Sequence, residues 1–423
     1  MAAASARKPI LISGGGLASL LLARSLLRSK IPFVVFERDA SLIFRAQGYR
    51  LRMSNEGLDA IEEVLGPGFD KFWQATSKTG GAKGFGLLNA VTGEDIEQDG
   101  TTQVSKGEQQ AAGGSYKVPE KLATEKLQSR GGKTIGISRG DMRALFMEGC
   151  EPFIRWDHHV VSYELTDHGV KAVFADGSKS EEGEMLIGGE GIYSKVAKQL
   201  SDGKLKTYDT GARGIHGQSP ATAFKGLGEG VWRLIDSTNP QGQSFIITNV
   251  RPEDMDDPKA DLGWTMSATP GVINPPNNNF QIVGETAANM AKSLTANWHP
   301  KYKPLFDEMR VKEAAFWKIT CSTPSGVPVW KNENRVTVIG DAVHSMTPAG
   351  GIGANTAMRD SALLGRLLGE AGGYKEGLTA AYEEKMRVYA SEAVAQSYGL
   401  ASSTFQIKID ENTTPVVGAE SRI

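Results

Sequence analysis

Residues 10–38, ILISGGGLASLLLARSLLRSKIPFVVFER, limit the fold of this chain more than any other stretch. Ile10 to Ile12 read as a short buried strand, Gly14, Gly15 and Gly16 as a tight turn, and Leu17 to Arg28 as a helix. Phe33 to Phe36 read as a second strand, ending on Glu37. Together they form a βαβ unit of the dinucleotide-binding kind. Its glycines let a pyrophosphate approach the backbone, and Leu17 and Ala18 open a helix whose dipole favours that charge. Glu37, about 20 residues past the turn, is placed to bond ribose hydroxyls, with Arg38 beside it. An acid there disfavours a 2′-phosphate, which suits FAD or NAD over NADP. Ser19 occupies the third glycine position, which serves the packing of helix on strand, so binding is expected to survive.

A second cradle lies late in the chain, at 335–364: RVTVIGDAVHSMTPAGGIGANTAMRDSALL. A strand from Val336 to Ile339 ends at Gly340 and Asp341, a loop carries Pro348, Gly350, Gly351 and Gly353, and a helix runs from Ala354 to Leu368. Strand, glycine loop and helix again present unpaired N–H groups to an anion. This stretch resembles the second FAD-binding motif of the flavoprotein monooxygenases related to aromatic hydroxylases, GDAxHxxxPxxGxGxNxxxxDAxxL. The match holds at Gly340, Asp341, Ala342, His344, Pro348, Gly351, Gly353, Asn355, Asp360 and Leu364, and departs at Ser361.

The resemblance implies FAD as cofactor. It places Asp341 on the ribityl chain, and Pro348, Gly351, Ile352, Gly353, Ala354 and Asn355 beside the pyrimidine edge. His344, inside the motif, is expected to be structural rather than a base. Arg139, at the start of a helix after the strand Ile135 to Ile137, and Arg45 are cofactor candidates by position; for Arg45 a plain surface role is equally open. GGEGIYSKVAKQL, 188–200, stands where the relatives have GADGxxSxVR. Glu190 replaces the aspartate, Gly189 the alanine, and Ala197 the arginine, with Lys198 next. Hydride delivery is the function these departures touch.

The fold expected is α/β: a Rossmann-like FAD-binding domain with an inserted mixed or antiparallel sheet substrate domain and C-terminal helices. The FAD-binding domain would be discontinuous, 1–75, 133–200 and 322–377, with 76–132 and 201–321 forming the substrate domain and 378–423 a helix and a loosely held tail. Residues 92–133 have few large apolar side chains and are expected to form a mobile loop. HVVSYEL, GVKAVFA and EMLIGG read as a meander. GARGIHGQSPATAF, VWRLIDS, QSFIITNV, DLGWTMSAT and NFQIVGE are spaced as strands of the substrate sheet. Arg213, His216, Trp232, Phe245, Trp264 and Phe316 are its pocket candidates. No residue declares itself as a catalytic base; Arg213 and His216 are the candidates.

A formal net charge of −2 gives no reason to expect nucleic acid or an anionic membrane as partner. Cys150 and Cys321 make no disulfide framework and sit in no metal spacing, which points to a reducing, cytoplasmic setting with no metal. No apolar run is long enough to span a membrane. The resemblance implies an FAD-dependent monooxygenase that takes electrons from NADPH or NADH. Through a flavin C4a-hydroperoxide formed with O2 it would hydroxylate or epoxidise an aromatic or polycyclic small molecule. A redox-neutral FAD-bound cyclase or isomerase and a flavin-retaining binding protein remain the alternatives. A halogenase is disfavoured because no WxWxIP motif is present.

Overall fold

The computed structural model describes residues 7–42, 50–75, 85–96, 135–250, 255, 257, 259–276 and 282–418. In chain order it begins with β1 (Ile10–Ser13), α1 (Leu17–Arg28), β2 (Phe33–Phe36), β3 (Arg50–Met53), α2 (Asn55–Leu65), α3 (Phe69–Gln74), β4 (Phe85–Asn89), β5 (Ile135–Ser138) and α4 (Arg139–Met147). There follow β6 (Ile154–Arg155), β7 (Val160–Thr166), β8 (Gly169–Phe174), β9 (Met185–Gly188) and α5 (Lys195–Leu200). Then come β10 (Thr207–Pro220), β11 (Gly230–Asp236), β12 (Ser244–Val250), β13 (Asp261–Ala268), α6 (Glu285–Leu294), α7 (Pro304–Asp307) and β14 (Ala315–Ser322). β15 (Val336–Val338), α8 (Asp341–His344), α9 (Gly353–Ala371) and α10 (Leu378–Thr404) complete the set.

Strands β15, β9, β1, β2 and β6 line up in that order as a parallel sheet. Side chains of its central strands are buried on both faces, which is why the sequence there runs apolar without alternation. α1 and α9 pack against each other closely enough that a Cβ on Gly365 would stand 2.3 Å from Ser25 Oγ. The expected meander forms in part: after the turn at Asp176 and Gly177 the chain bridges back to β8 through Lys179 and Gly183, but the last run goes elsewhere. Met185–Gly188 pairs in parallel with β1, and β7 and β8 are left as a separate hairpin.

The second sheet has the order β14-β10-β13-β12-β11-β4 and is antiparallel except between β11 and β4. Its register lines up Phe316, Ile215, Met266, Ile246, Leu234 and Leu88 across one face. All six are buried, in one core with Trp264 and the apolar residues of α6 and α7. The described part of NFQIVGE, Ile282 to Gly284, meets the edge of β14 without forming a full strand. Residues 277–281 lie outside the described residues, Val283 makes a single bridge to Ala315, and Gly284 at φ 68° opens α6. The place beside β10 belongs to β14, which ends at the turn Thr323 to Gly326.

Residues 92–96, the start of the expected mobile loop, close a turn on β4. Asn89 Oδ1 accepts from the amides of Val91 and Thr92, and Ile96 N donates to Leu87 O. The rest of that loop, from 97 to 134, lies outside the described residues. The tail is not loose as far as it is described. Ile407 is buried, Asp209 N donates to Pro415 O, and Val417 N donates to Thr207 O, so the tail runs along β10. Among the described residues no helix is long and apolar enough to cross a membrane.

Candidate cofactor cleft and substrate face

The first glycine turn closes on the loop after β9. Gly14 has φ 88°, and a Cβ there would lie 2.5 Å from Gly189 O. Gly15 N donates to Glu37 Oε2 at 2.6 Å, and Asp39 N donates to Glu37 Oε1 at 2.9 Å. Arg143, on α4, holds both partners: its Nε donates to Gly15 O at 2.9 Å and its guanidinium lies 3.5 Å from Glu37. Glu37 therefore braces the turn. A carboxylate has about four acceptor positions, and those left over suit the ribose. Gly16 caps α1 without a side-chain hydrogen bond, and the first turn of α1 holds no acid. Its amides are thus open to a pyrophosphate.

The second motif meets the first at Gly340, where an added Cβ would lie 3.3 Å from the Ala18 Cβ and 3.7 Å from the Ala357 Cβ. Ser361 Oγ donates to Ala18 O at 2.7 Å, so the one departure from the motif ties α9 to α1. α9 also starts from Ile352 with no side-chain cap and no acid in its first turn. Gly353 and Ala354 there are partly exposed. Asn355 spends its side chain on the protein: Oδ1 accepts from Ser54 N at 2.8 Å, and Nδ2 donates to Arg52 O and Gly351 O at 3.0 and 2.8 Å. Only its backbone amide is left for a cofactor. Pro348 is exposed beside Gly350 and Gly351, both at positive φ, and Arg52 lies against Gly351.

Asp341 is exposed, yet protein crowds it, as befits a side chain facing into a cleft. Burial pushes its carboxyl up, while the charges of His344 and Arg139 pull it down. Arg139 is thus near enough for its charge to act on Asp341. Arg38 stays on the rim, half-exposed beside Asp39, and Arg45 lies outside the described residues. His344 is fully buried, its Nε2 2.7 Å from Asp360, which also accepts from Gly340 N at 2.6 Å and Tyr389 Oη at 2.6 Å. Burial lowers the imidazole, but Asp360, Asp341 and a backbone hydrogen bond together raise it, and the net shift is upward. This buried network fixes the strand end that carries Asp341.

Glu190 turns back on its own segment: Oε2 accepts from Ser194 Oγ at 2.8 Å and Oε1 from Val196 N at 3.2 Å. Burial raises its carboxyl despite these bonds. On the second sheet, the face away from the core is mixed. His216, Thr265, Ile247, Arg233 and Leu87 form one row across it. Trp317, Gly214, Ser267, Phe245, Ile235 and Asn89 form the next. His216 stacks on Trp317 at 4.9 Å and shares a 2.9 Å hydrogen bond with Thr265 Oγ1. Burial pushes its imidazole down to about 3, so it is neutral. Phe245 and Trp317 belong to a packed cluster with Phe405, Tyr398 and Ala349, the last from the loop before α9. This face therefore adjoins the second glycine motif.

Residues 84–397 match the FAD binding domain family. The chain belongs to that family. It is 29% identical over 401 residues to the dual O-methyltransferase/FAD-dependent monooxygenase elcB of Phaeosphaeria nodorum, covering 85% of this chain and 40% of that protein. It is 26% identical over 429 residues to the FAD-dependent monooxygenase aptC of Emericella nidulans, covering 92% and 93%. The chain spans about two fifths of the length of the first curated relatives it matches. Its fold is that of Klebsiella pneumoniae HpxO, solved with FAD and uric acid, with TM-score 0.68 and 16% identity over 94% of this chain and 89% of that one.

Within this FAD-binding family fold, the donor set fits a dinucleotide at both ends: two uncapped helix starts, glycines too close for a Cβ, a braced Glu37 and an open Asp341. Several expectations for the substrate sheet need correction. Arg213 forks onto Asp209 at 2.6 and 3.2 Å, with Lys318 3.1 Å from the same carboxylate, so its charge is spent within the sheet. Trp264 and Phe316 lie in the far core, and Trp232 rests over Gly86 on that same side. His216 and Phe245 lie on the opposite face of that sheet, and Phe245 clusters there with Ala349. Sequence reasoning missed Arg143, Arg233 and Trp317. In VWRLID, strict alternation puts Trp232 and Arg233 on opposite faces, and that was the available signal.

Proposed function

We propose that this chain is an FAD-dependent monooxygenase that takes electrons from NADPH or NADH and uses O2 to hydroxylate or epoxidise an aromatic or polycyclic small molecule. The observation that carries this is the junction at Ala349, where a dinucleotide cradle abuts a sheet face of aromatic and polar side chains. FAD, when bound, supplies electron transfer and oxygen activation. The chain supplies the rest. The start of α9 would stabilise negative charge near the ring, Asp341 and Glu37 would hold the ribityl and ribose hydroxyls, and neutral His216 would donate or accept a hydrogen bond to substrate. Relatives named as FAD-dependent monooxygenases support the reading.

One observation favours a second reading. Glu190 is occupied by Ser194 and Val196, so its carboxylate does not reach outward as a hydride-positioning acid would. A redox-neutral FAD-bound cyclase or isomerase needs no such reach. Anaerobic mixing of the FAD-loaded protein with NADPH and with NADH decides between them. Bleaching of the flavin band, accelerated by an aromatic ligand, supports the monooxygenase. A flavin that stays oxidised with both donors, and that bleaches in Glu190→Asp, assigns the loss to Glu190 and favours the redox-neutral reading.

A further inference from the structure

Arg233, half-buried, stands apart from the other cations near the substrate face. Arg143 has Glu37, and Arg213 and Lys318 share Asp209. The Arg233 side chain makes no hydrogen bond or ion pair among the described residues. Its Nε is buried without a partner, and its guanidinium carbon sits 3.9 Å over the ring of Phe245. A cation–π contact offsets part of the desolvation of a guanidinium but satisfies none of its five N–H donors. Burial lowers the affinity of this group for its proton, yet a guanidinium stays charged at any physiological pH. The side chain is half-buried, so its Nε is cut off from water without a partner while the rest of the fork keeps access to water or to a ligand, and an acceptor that reached it would complete the group.

The row in which Arg233 stands says what would fit. Ile247, directly between Thr265 and Arg233, is 41% exposed on a face whose neighbouring row is covered by Phe405 and Ile407. The face is therefore open above Ile247, with an apolar floor there, a cation at one end and the neutral His216–Trp317 stack at the other. Three strand spacings of about 4.8 Å set the backbones of His216 and Arg233 roughly 14 Å apart. Allowing for the side chains, that span suits a fused ring system better than a single ring.

We propose that Arg233 anchors an oxyanion, a carboxylate or a phenolate, carried by the aromatic substrate, whose ring system lies over Ile247 toward Thr265 and His216. The proposal rests on the substrate-face reading above and names the charge of its ligand. Guanidinium and carboxylate match as a two-pronged fork, and phenolate accepts from the same donors singly. A neutral ligand of the same shape leaves the guanidinium unmatched.

The test is equilibrium binding to the FAD-loaded full chain, followed by perturbation of the flavin spectrum, with 2-naphthoate, 2-naphthamide and 2-naphthol as probes. Wild type should bind naphthoate at least about 10-fold tighter than naphthamide. Arg233→Met should weaken naphthoate by about 30-fold or more and leave naphthamide unchanged. Naphthol affinity that rises with pH through the phenol's own ionisation, in wild type only, identifies a phenolate site; naphthoate preference without that rise identifies a carboxylate site. Equal affinity of wild type for naphthoate and naphthamide, equal weakening of both by Arg233→Met, or no binding of any probe at millimolar concentration overturns the proposal. If Arg233→Met does not fold, the charged-against-neutral comparison in wild type and in Arg233→Lys still decides. Calorimetry on the flavin-free chain repeats the comparison. A protein that binds naphthoate through Arg233 but is reduced by neither NADPH nor NADH loses the monooxygenase reading and keeps this one.

Discussion

Two departures from the family pattern, taken singly, look like damage, and together they explain each other. Ser19 stands where a glycine is expected and Gly189 where an alanine is expected. A Cβ on Gly189 would lie 2.3 Å from Ser19 Oγ, 3.3 Å from Ser13 O and 3.4 Å from the Ile339 side chain. The small residue has moved from the helix to the facing loop. Gly189→Ala should therefore destabilise by about 1–3 kcal/mol through overpacking. Adding Ser19→Gly should recover most of that, less up to about 1 kcal/mol of helix propensity. A thermodynamic cycle from urea melts should give a coupling of about 1 kcal/mol or more; additivity of the two changes would defeat the explanation. Asp59 is a second residue out of balance. It is buried on α2 with both carboxylate oxygens unbonded, and burial, then Glu62 and Glu56, push it up to about 6. An acid raised above its unfolded value binds its proton more tightly when folded, so its penalty is absent below about pH 4 and complete above about pH 6. Asp59→Asn should raise the Tm at pH 7.5, and the gain should fade as pH drops from 6.5 to 4. A gain independent of pH would show that ionisation is not its cause.

At the scale of elements, what the sequence made legible followed the period of its apolar residues and the places of its glycines. β1, α1, β2, α9 and the start of α10 fell within a few residues of their expected ends, because continuous apolar runs and turn glycines bound them. β14 was not legible: Thr323 to Gly326 mark a turn after AFWKITCS, but the run does not alternate cleanly and its partner β10 lies about a hundred residues away in sequence. Ser54 resembles a helix cap in sequence, but its side chain caps nothing; its backbone N–H is bound by Asn355, 301 positions on. Such a contact cannot be seen in a local window. It has a testable consequence. Asn355 joins β3, the loop before α9 and α9 itself by three hydrogen bonds, and a Cβ on Gly57 would lie 2.2 Å from its Oδ1. Asn355→Ala leaves buried backbone groups unpaired and should cost about 2–4 kcal/mol. Asn355→Asp keeps the acceptor for Ser54 N but loses both donated bonds, and should fall between. Measured FAD off-rates should rise in the same order; an Asn355→Ala protein with wild-type stability and off-rate would show that the three bonds hold nothing in place.

For the molecule as a whole, the site exists only where two distant stretches meet. Gly14–Gly16 and Gly351–Asn355 lie at opposite ends of the chain, and Gly340, Ala18 and Ser361 are the points at which they touch. The sequence announced each cradle separately; their junction, and the choice of sheet face beyond it, depended on register, which no single stretch carries. A ligand that contacts both cradles binds the folded state alone, so it should stabilise the fold by mass action, about 2.7 kcal/mol at 100 times its Kd. For a chain of this length that corresponds to a rise in Tm of roughly 3 °C. Removing FAD should lower the Tm by that amount, and restoring it should recover the loss. Asp341→Ala separates this linkage from a generic effect of flavin on proteins. Asp341 is exposed, and among the described residues its side chain makes no hydrogen bond, so its loss should leave the Tm of the flavin-free protein near wild type. The FAD-dependent rise should shrink in that variant at the same FAD concentration. A full rise in Asp341→Ala, or none in wild type, would mean that the two cradles do not share one ligand.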